Sequence, residues 1–353
     1  MDATFRLEEG LQEDGEARDI DSTTCRIRGR GNSTWGLKKN PYKLKFDEKI
    51  SILGEDDNKE WVLLANHLDK TMLRNHTAFY MSRQSSLGYT PSSHFVELVL
   101  NDEYVGTYEL TDQVKIGHHR VDATEGGFLM EIDSKPDDDD VLISVPHIEA
   151  PINIKDTAEP LDSVSLLQVQ TFMNTVDSVL FSDDFDDPDK GWRQLMDEDS
   201  FVEWYMINEI CKNNDAYFYT SCYMWWQPGD KLHMGPVWDF DISLGNTTHN
   251  GNYYYDGFWV RYVTWYKRLF QDELFCQKIM ESFRHFYALQ DDIMQEINKQ
   301  ANYLRYSVEE NDNKWGTLYS ESPSYAIWGN YTNEVVAMKT WLSNRLEWLK
   351  ENW

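Results

Sequence analysis

Apolar side chains recur with a period of two through the first 135 residues, and beyond them a helical period takes over. The change falls at residues 134–140, Ser-Lys-Pro-Asp-Asp-Asp-Asp, where four consecutive carboxylates repel one another and favour a solvated loop. The acidic run lacks the spacing and glycine of a calcium loop. A chain patterned in this way is expected to be α+β, with strands gathered in its first part and helices in its second. Tyr42, Leu44 and Phe46 share one face of an extended segment, leaving Lys43 and Lys45 on the other. Residues 61–65 read as an apolar strand, and residues 95–100 and 104–110 as a hairpin about Asn101-Asp102-Glu103. Residues 127–132 form a further strand carrying Glu131. One helix is expected over residues 69–84 with Asp69 as N-cap. Further helices are expected over residues 162–180, 199–213, 272–305 and 333–353. Val164, Leu167, Val169, Phe172, Val176 and Val179 mark the buried stripe of the first of these. Between them, residues 217–226 and 231–241 read as two strands joined by Gln227-Pro228-Gly229-Asp230. The domains expected are a β-rich residues 1–135 and a mainly helical residues 136–353.

The net charge of −28 argues against nucleic acid or an anionic membrane as partner, since both require a basic face. No apolar run approaches the roughly 18 residues of a membrane span. Met1-Asp2-Ala3-Thr4 has neither the basic start nor the apolar core of a signal peptide. Cys25, Cys211, Cys222 and Cys276 are scattered without a CxxC, which disfavours zinc, although Cys211 and Cys222 could pair. The 14 tryptophans are read first as core and second as a stacking surface.

Against this acidic background, residues 25–45 carry Arg26, Arg28, Arg30, Lys38, Lys39, Lys43 and Lys45 and no carboxylate. Within them lies Arg28-Gly29-Arg30-Gly31-Asn32-Ser33-Thr34-Trp35-Gly36, where glycines allow close backbone approach and N–H groups can cradle a phosphate. A solvated basic hairpin is the plainer alternative. A second signal is Gly235-Pro236-Val237-Trp238-Asp239-Phe240-Asp241-Ile242-Ser243-Leu244-Gly245-Asn246. If extended, this run points Asp239 and Asp241 to one face. There they either bind a hard divalent ion together with phosphate or form an acidic turn. The hairpin before it brings Asp215 near Asp239, either as a helix-capping group or as a carboxylate base. Arg74 and Asn75 either brace this site or form a surface pair. The Tyr- and Trp-rich residues 250–270 either line a cleft or cover the second part of the chain.

Arg30-Gly31-Asn32-Ser33-Thr34-Trp35 followed by Pro41-Tyr42-Lys43-Leu44-Lys45-Phe46 resembles the opening signature of the spore-coat CotH family. Trp61-Val62-Leu63-Leu64-Ala65-Asn66 with Leu73-Arg74-Asn75 resembles its next block, and Val96-Glu97-Leu98 through Gly106-Thr107-Tyr108 its third. Asp215 and Trp238-Asp239-Phe240-Asp241 with Gly245-Asn246 resemble the last two, in the same order, over roughly residues 20–350. The resemblance implies a two-lobed atypical protein-kinase-like fold, with ATP and Mg²⁺ or Mn²⁺ as cofactors. It implies phosphorylation of Ser or Thr in a secreted or surface protein. It assigns Asp215 to catalysis and Asp239, with Asp241 beside it, to the metal. Arg28, Arg30, Gly31, Asn32, Ser33, Lys43, Lys45 and Glu131 go to the nucleotide, with either Lys43 or Lys45 on phosphate. The chain is expected to be a monomer and the mature part of an exported or cell-surface protein. Residues 216–224 lack the Asn that kinases place soon after this aspartate, and Ser221 is the substitute available. This departure supports the alternative, a pseudokinase serving as a surface or carbohydrate-associated binding module. A glycoside hydrolase built on Asp215 and Asp239 would leave the basic glycine loop without a role.

Overall fold

A computed structural model describes residues 1–8, 19–31, 33–319 and 326–353. The architecture is α+β, as the change of period predicts. Strands β1 (Asp2–Leu7), β2 (Ile20–Gly29), β3 (Tyr42–Ile50), β4 (Asn58–Leu64), β5 (His94–Leu100) and β6 (Glu103–Asp112) form an antiparallel sheet in the order β1-β2-β3-β4-β6-β5. Helix α1 (Arg74–Arg83) lies between β4 and β5 in the chain. One face of this sheet buries Leu44, Phe46, Trp61, Leu63 and Leu110, the apolar alternation read from the sequence.

A second antiparallel sheet contains β7 (Phe128–Ile132), β8 (Leu142–Ile143), β9 (Ile152–Thr157), β10 (Cys222–Trp226) and β11 (His233–Met234), in the order β11-β10-β7-β9-β8. Thus β7 pairs with strands that lie beyond the acidic run, Glu131 opposite both Asn153 and Tyr223. The helices are α2 (Ser163–Leu180), α3 (Glu198–Cys211), α4 (Thr264–Leu269), α5 (Glu273–Ala288), α6 (Gln290–Trp315) and α7 (Tyr331–Asn352). Asp162 caps α2 reciprocally with Ser165, a capping box. The expected stripe of α2 is only partly buried. Val169 and Val176 are enclosed, whereas Val164 and Leu167 are 72% and 65% exposed on the first turns.

Three expectations are corrected. The helix placed at residues 69–84 begins at Arg74, because the Asp69 carboxylate accepts the Thr71 and Arg74 N–H groups and holds residues 69–73 in a turn. The single helix at residues 272–305 is two, α5 capped by Asp272 and α6 starting afresh after Leu289. The strand expected over residues 231–241 is limited to His233–Met234, since Gly235 turns to a φ of 111° and leads the chain out of the sheet.

Helix α6 joins the first sheet to the rest. A Cβ on Gly106 would run into Asn311 and Trp315 of α6, and the Trp315 indole donates to the Val105 carbonyl at 2.7 Å. Helix α7 is tied to α3 by an ion pair between Arg345 and Glu209, both fully buried, at 2.7 Å. Arg345 also donates to the Tyr255 and Gly257 carbonyls, and Glu209 accepts the Trp259 and Arg261 N–H groups. Removing one partner leaves a buried charge uncompensated. Arg345→Met is expected to lower the unfolding free energy by about 3–5 kcal/mol. Urea denaturation measures this, and a loss under about 1 kcal/mol would show that Glu209 finds another partner.

Candidate functional site

A cavity of about 1590 Å³ opens where the first sheet, the second sheet and the segments flanking β10 and β11 meet. Its first-sheet lining includes Arg28 and Lys43, and its second-sheet lining includes Glu131 and Lys155. Asp215, Asp239 and Asp241 all line it.

Asp215 follows the end of α3, which terminates at Lys212 in the left-handed conformation. The Asp215 side chain is buried and accepts from the Asn214 amide at 3.2 Å. Burial, and next the charge of Asp239, push its carboxyl up to about 7, against the pull of Asn214 and Lys135. Asp239 occupies the left-handed region with φ 65°, so it and Asp241 come together through a turn, not along the face of a strand. Ser221 Oγ donates to Asp239 Oδ2 at 3.2 Å. Burial raises the Asp239 carboxyl, opposed by Arg30 and Ser221. Burial raises the Asp241 carboxyl further, assisted by the charges of Asp239, Asp215 and Asp69.

The turn over residues 241–246 is held both from within and from outside. Asn246 donates to the Asp241 carbonyl at 2.6 Å and to Leu68 O at 3.0 Å. Arg74 forms a buried ion pair with Asp69 and donates to the Ser243 and Leu244 carbonyls. Arg74 and Asn75 are therefore braces and not a surface pair, because both are buried against this turn.

The basic residues divide. Arg28, Arg30, Gly31 and Lys43 line the cavity, whereas Lys45 is not among its lining residues. Lys43 lies 3.1 Å and Lys45 2.9 Å from the buried Glu60, which Lys115 also reaches at 2.9 Å. Burial lowers the Lys43 ammonium, and these lysines draw the Glu60 carboxyl well below its usual range against the opposing effect of burial. Lys39 turns inward instead, donating to Ala65 O at 2.8 Å and to Thr107 O, and burial pushes it down to about 7. Arg30 stands 5.8 Å from the Trp238 ring beside the Asp239 turn. Gly29 admits the Trp35 indole, which a Cβ there would strike. Asn32 lies outside the described residues, and Ser33 opens a short 3₁₀ turn, Ser33–Gly36. Glu131 accepts the Ser221 N–H at 2.9 Å and pairs with Lys155 at 3.3 Å.

The sequence reading did not single out Lys115, Lys155 and Asn213. Lys155 had a signal, since Ile152 and Ile154 alternate with Asn153 and Lys155 as a strand would. The aromatic residues divide as well. Trp259 and Asn250 line the cavity, with the Trp259 indole donating to Asn214 O, whereas Tyr254, Tyr255 and Tyr262 face solvent.

Asp239, Asp241 and Ser221 offer hard oxygen donors, and the two carboxylates lie close enough to repel, which suits a Mg²⁺- or Mn²⁺-sized ion. Among the described residues no three His, Cys, Asp or Glu side chains enclose an ion unaided. One or two carboxylates completed by phosphate oxygens is the usual magnesium arrangement. No helix among the described residues is long and apolar enough to cross a membrane.

The cleft of this α+β protein sets carboxylates opposite arginine and lysine. The family model described as CotH kinase protein matches residues 27–349, and the chain belongs to that family. No curated protein matches it by sequence.

The raised Asp215 carboxyl has a consequence for stability. The neutral form is favoured in the folded chain, so this contribution is fully present below the unfolded value near 3.8 and is lost as pH rises through about 7. Asp215→Asn keeps an acceptor for Asn214 without the charge. In chelator, the variant is expected to gain stability over the wild type between pH 4 and 7, by at most about 1.4 kcal/mol per pH unit. A difference independent of pH in denaturant titrations would contradict the raised carboxyl.

Proposed function

We propose that the protein is a metal-dependent kinase moving the γ-phosphoryl group of ATP to a serine or threonine of a secreted or surface protein. In this reading the architecture is kinase-like and two-lobed, with residues 1–135 as the nucleotide lobe and residues 136–353 as the catalytic lobe. The observation that carries it is the placement of Asp215, with its carboxyl near 7, beside the Asp239–Asp241 turn in a cavity lined by Arg28, Arg30, Lys43 and Lys115. Membership of the CotH kinase family supports the same reaction class.

Phosphoryl transfer asks a protein for positioning and charge neutralisation more than for covalent chemistry. Lys43, oriented by Glu60, and Arg28 attract the phosphate chain into the cleft. A divalent ion held by Asp239 and Asp241, with Ser221 alongside, would neutralise charge on the phosphate oxygens. Asp215 accepts the proton of the acceptor hydroxyl as its oxygen bonds to phosphorus and the bridging oxygen leaves with ADP. A base of value about 7 suits this task, being free at neutral pH yet still basic enough to take a proton. Of the two lysines that alternated on β3, Lys43 is assigned to phosphate because only it lines the cavity.

Thermal unfolding with ATP, with and without Mg²⁺ or Mn²⁺, tests the binding half. Nucleotide at about 100 times its Kd is expected to stabilise the wild type by roughly 2.7 kcal/mol. The gain should require metal and vanish in Asp239→Ala. No shift with any nucleotide would leave the binding-module reading in its place. The transfer half is tested by Asp215→Ala, expected to keep the metal-dependent shift and to lose phosphate incorporation into a Ser-containing acceptor by at least about 100-fold. Incorporation at the wild-type rate would move the base elsewhere.

A further inference from the structure

The geometry points to Asn75 as a positioning residue that sets the metal-binding turn, by clamping the peptide between Asp239 and Phe240 at the end of a polarised hydrogen-bond chain that starts at Glu109. The inference rests on the reading of Asp239 as a metal ligand.

That peptide is held at both ends. Its carbonyl, on Asp239, accepts from Asn213 Nδ2 at 3.2 Å, and its N–H, on Phe240, donates to Asn75 Oδ1 at 2.7 Å. A peptide plane held at both ends cannot rotate, and it lies between the two candidate ligands, with Asp239 on one side and Asp241 one residue beyond Phe240. Asn213 Oδ1 also accepts the Asp215 N–H at 3.4 Å, so the same clamp relates the base to the turn.

An asparagine amide presents either its oxygen or its nitrogen to a partner, so the clamp works only if Asn75 is held one way round. Its Nδ2 donates to Asn66 Oδ1 at 3.3 Å. Asn66 Nδ2 donates in turn to Glu109 Oε2 at 2.9 Å. Glu109 accepts at both of its oxygens, from Asn66 and from Ser93, which fixes the orientation of Asn66, which fixes that of Asn75 and leaves Asn75 Oδ1 facing Phe240. Glu109 is held from its other side by Ser93 Oγ at 2.7 Å, and His76 bridges Ser93 to Glu296 on α6 at 2.8 and 2.9 Å. Glu109, Asn66, Asn75 and His76 are all buried, where an unmet polar group is costly, so the chain holds as a unit. It runs from β6 of the first sheet to the turn that carries Asp239.

The test uses the full chain, with amide exchange followed in chelator and Mn²⁺ alone titrated by calorimetry. In the wild type the Phe240 amide is expected to be among the slowest over residues 235–246; exchange within seconds would overturn the clamp without any variant. Asn75→Ala is expected to release that amide and to weaken Mn²⁺ by about 10–100-fold at temperatures where the variant remains folded. Glu109→Gln is expected to retain both properties, because its oxygen still accepts from Asn66 while its amide turns to Ser93. Glu109→Leu is expected to lose both. Asn75→Ala binding Mn²⁺ like the wild type with Phe240 still protected overturns the clamp alone. Asp239→Asn binding Mn²⁺ like the wild type overturns the metal reading, and with it the role given to Asn75.

Discussion

Three carboxylates share one cleft, and much of the surrounding structure follows from the repulsion among them. Burial raises Asp215, Asp239 and Asp241, and neighbouring carboxylate charge adds to it at Asp215 and Asp241. Asp69, close enough to add to the strain on Asp241, is itself taken up by Arg74. Buried like charges of this kind destabilise the protein, which is the usual exchange of stability for function, and the proposed cation would relieve them. The cost is met in the frame around it. Arg74 holds the Ser243 and Leu244 carbonyls, Asn246 ties the turn to Leu68, and Arg345 with Glu209 fixes the segment that carries Trp259 against Asn214.

The opposing charge is equally local. In a chain of net charge −28, a polyanion would be repelled at long range unless cations were concentrated where it binds. The residues 25–45 segment supplies that concentration, but only some of its members serve it. Arg28, Arg30 and Lys43 line the cavity, while Lys39 leaves it to donate to two carbonyls beneath Tyr108. Glu60 gathers Lys43, Lys45 and Lys115, and holding three ammonium groups near one carboxylate keeps the lysines oriented without neutralising the group as a whole.

What could be read in the sequence was what depends on periodicity and type. Alternation at Tyr42, Leu44 and Phe46 placed β3, and the apolar repeat over residues 162–180 placed α2. What could not be read depended on tertiary contacts. Asp69 resembled an N-cap, but its carboxylate serves Arg74 as well, which delays the helix by a turn. Asp239 and Asp241 suggested a strand by their spacing, yet the segment turns because Asn75, Asn213 and Asn246 offer its backbone partners that a neighbouring strand would otherwise supply. Asn75 and Asn213 are remote in sequence and no pattern in the run announces them, whereas Asn246 closes the run itself.

The same principle explains the backbone strain around the cleft. Asn66, Met72, Phe218, Ser221, Asp239 and Leu244 all hold positive φ without being glycine, and each lies in or beside a segment that reaches the cleft. Such conformations cost of order 1 kcal/mol or more apiece and persist only where neighbours over-determine them. Here the neighbours are identifiable. Asn66 is held by Glu109, Ser221 by Glu131 and Asp239, and Asp239 through its carbonyl by Asn213. Every one of these contacts joins a strained residue to a carboxylate or an amide on a different element. At Asn66, Ser221 and Asp239 the strained backbone is thus held by links to other elements, and the last two of these set the turn that carries Asp239.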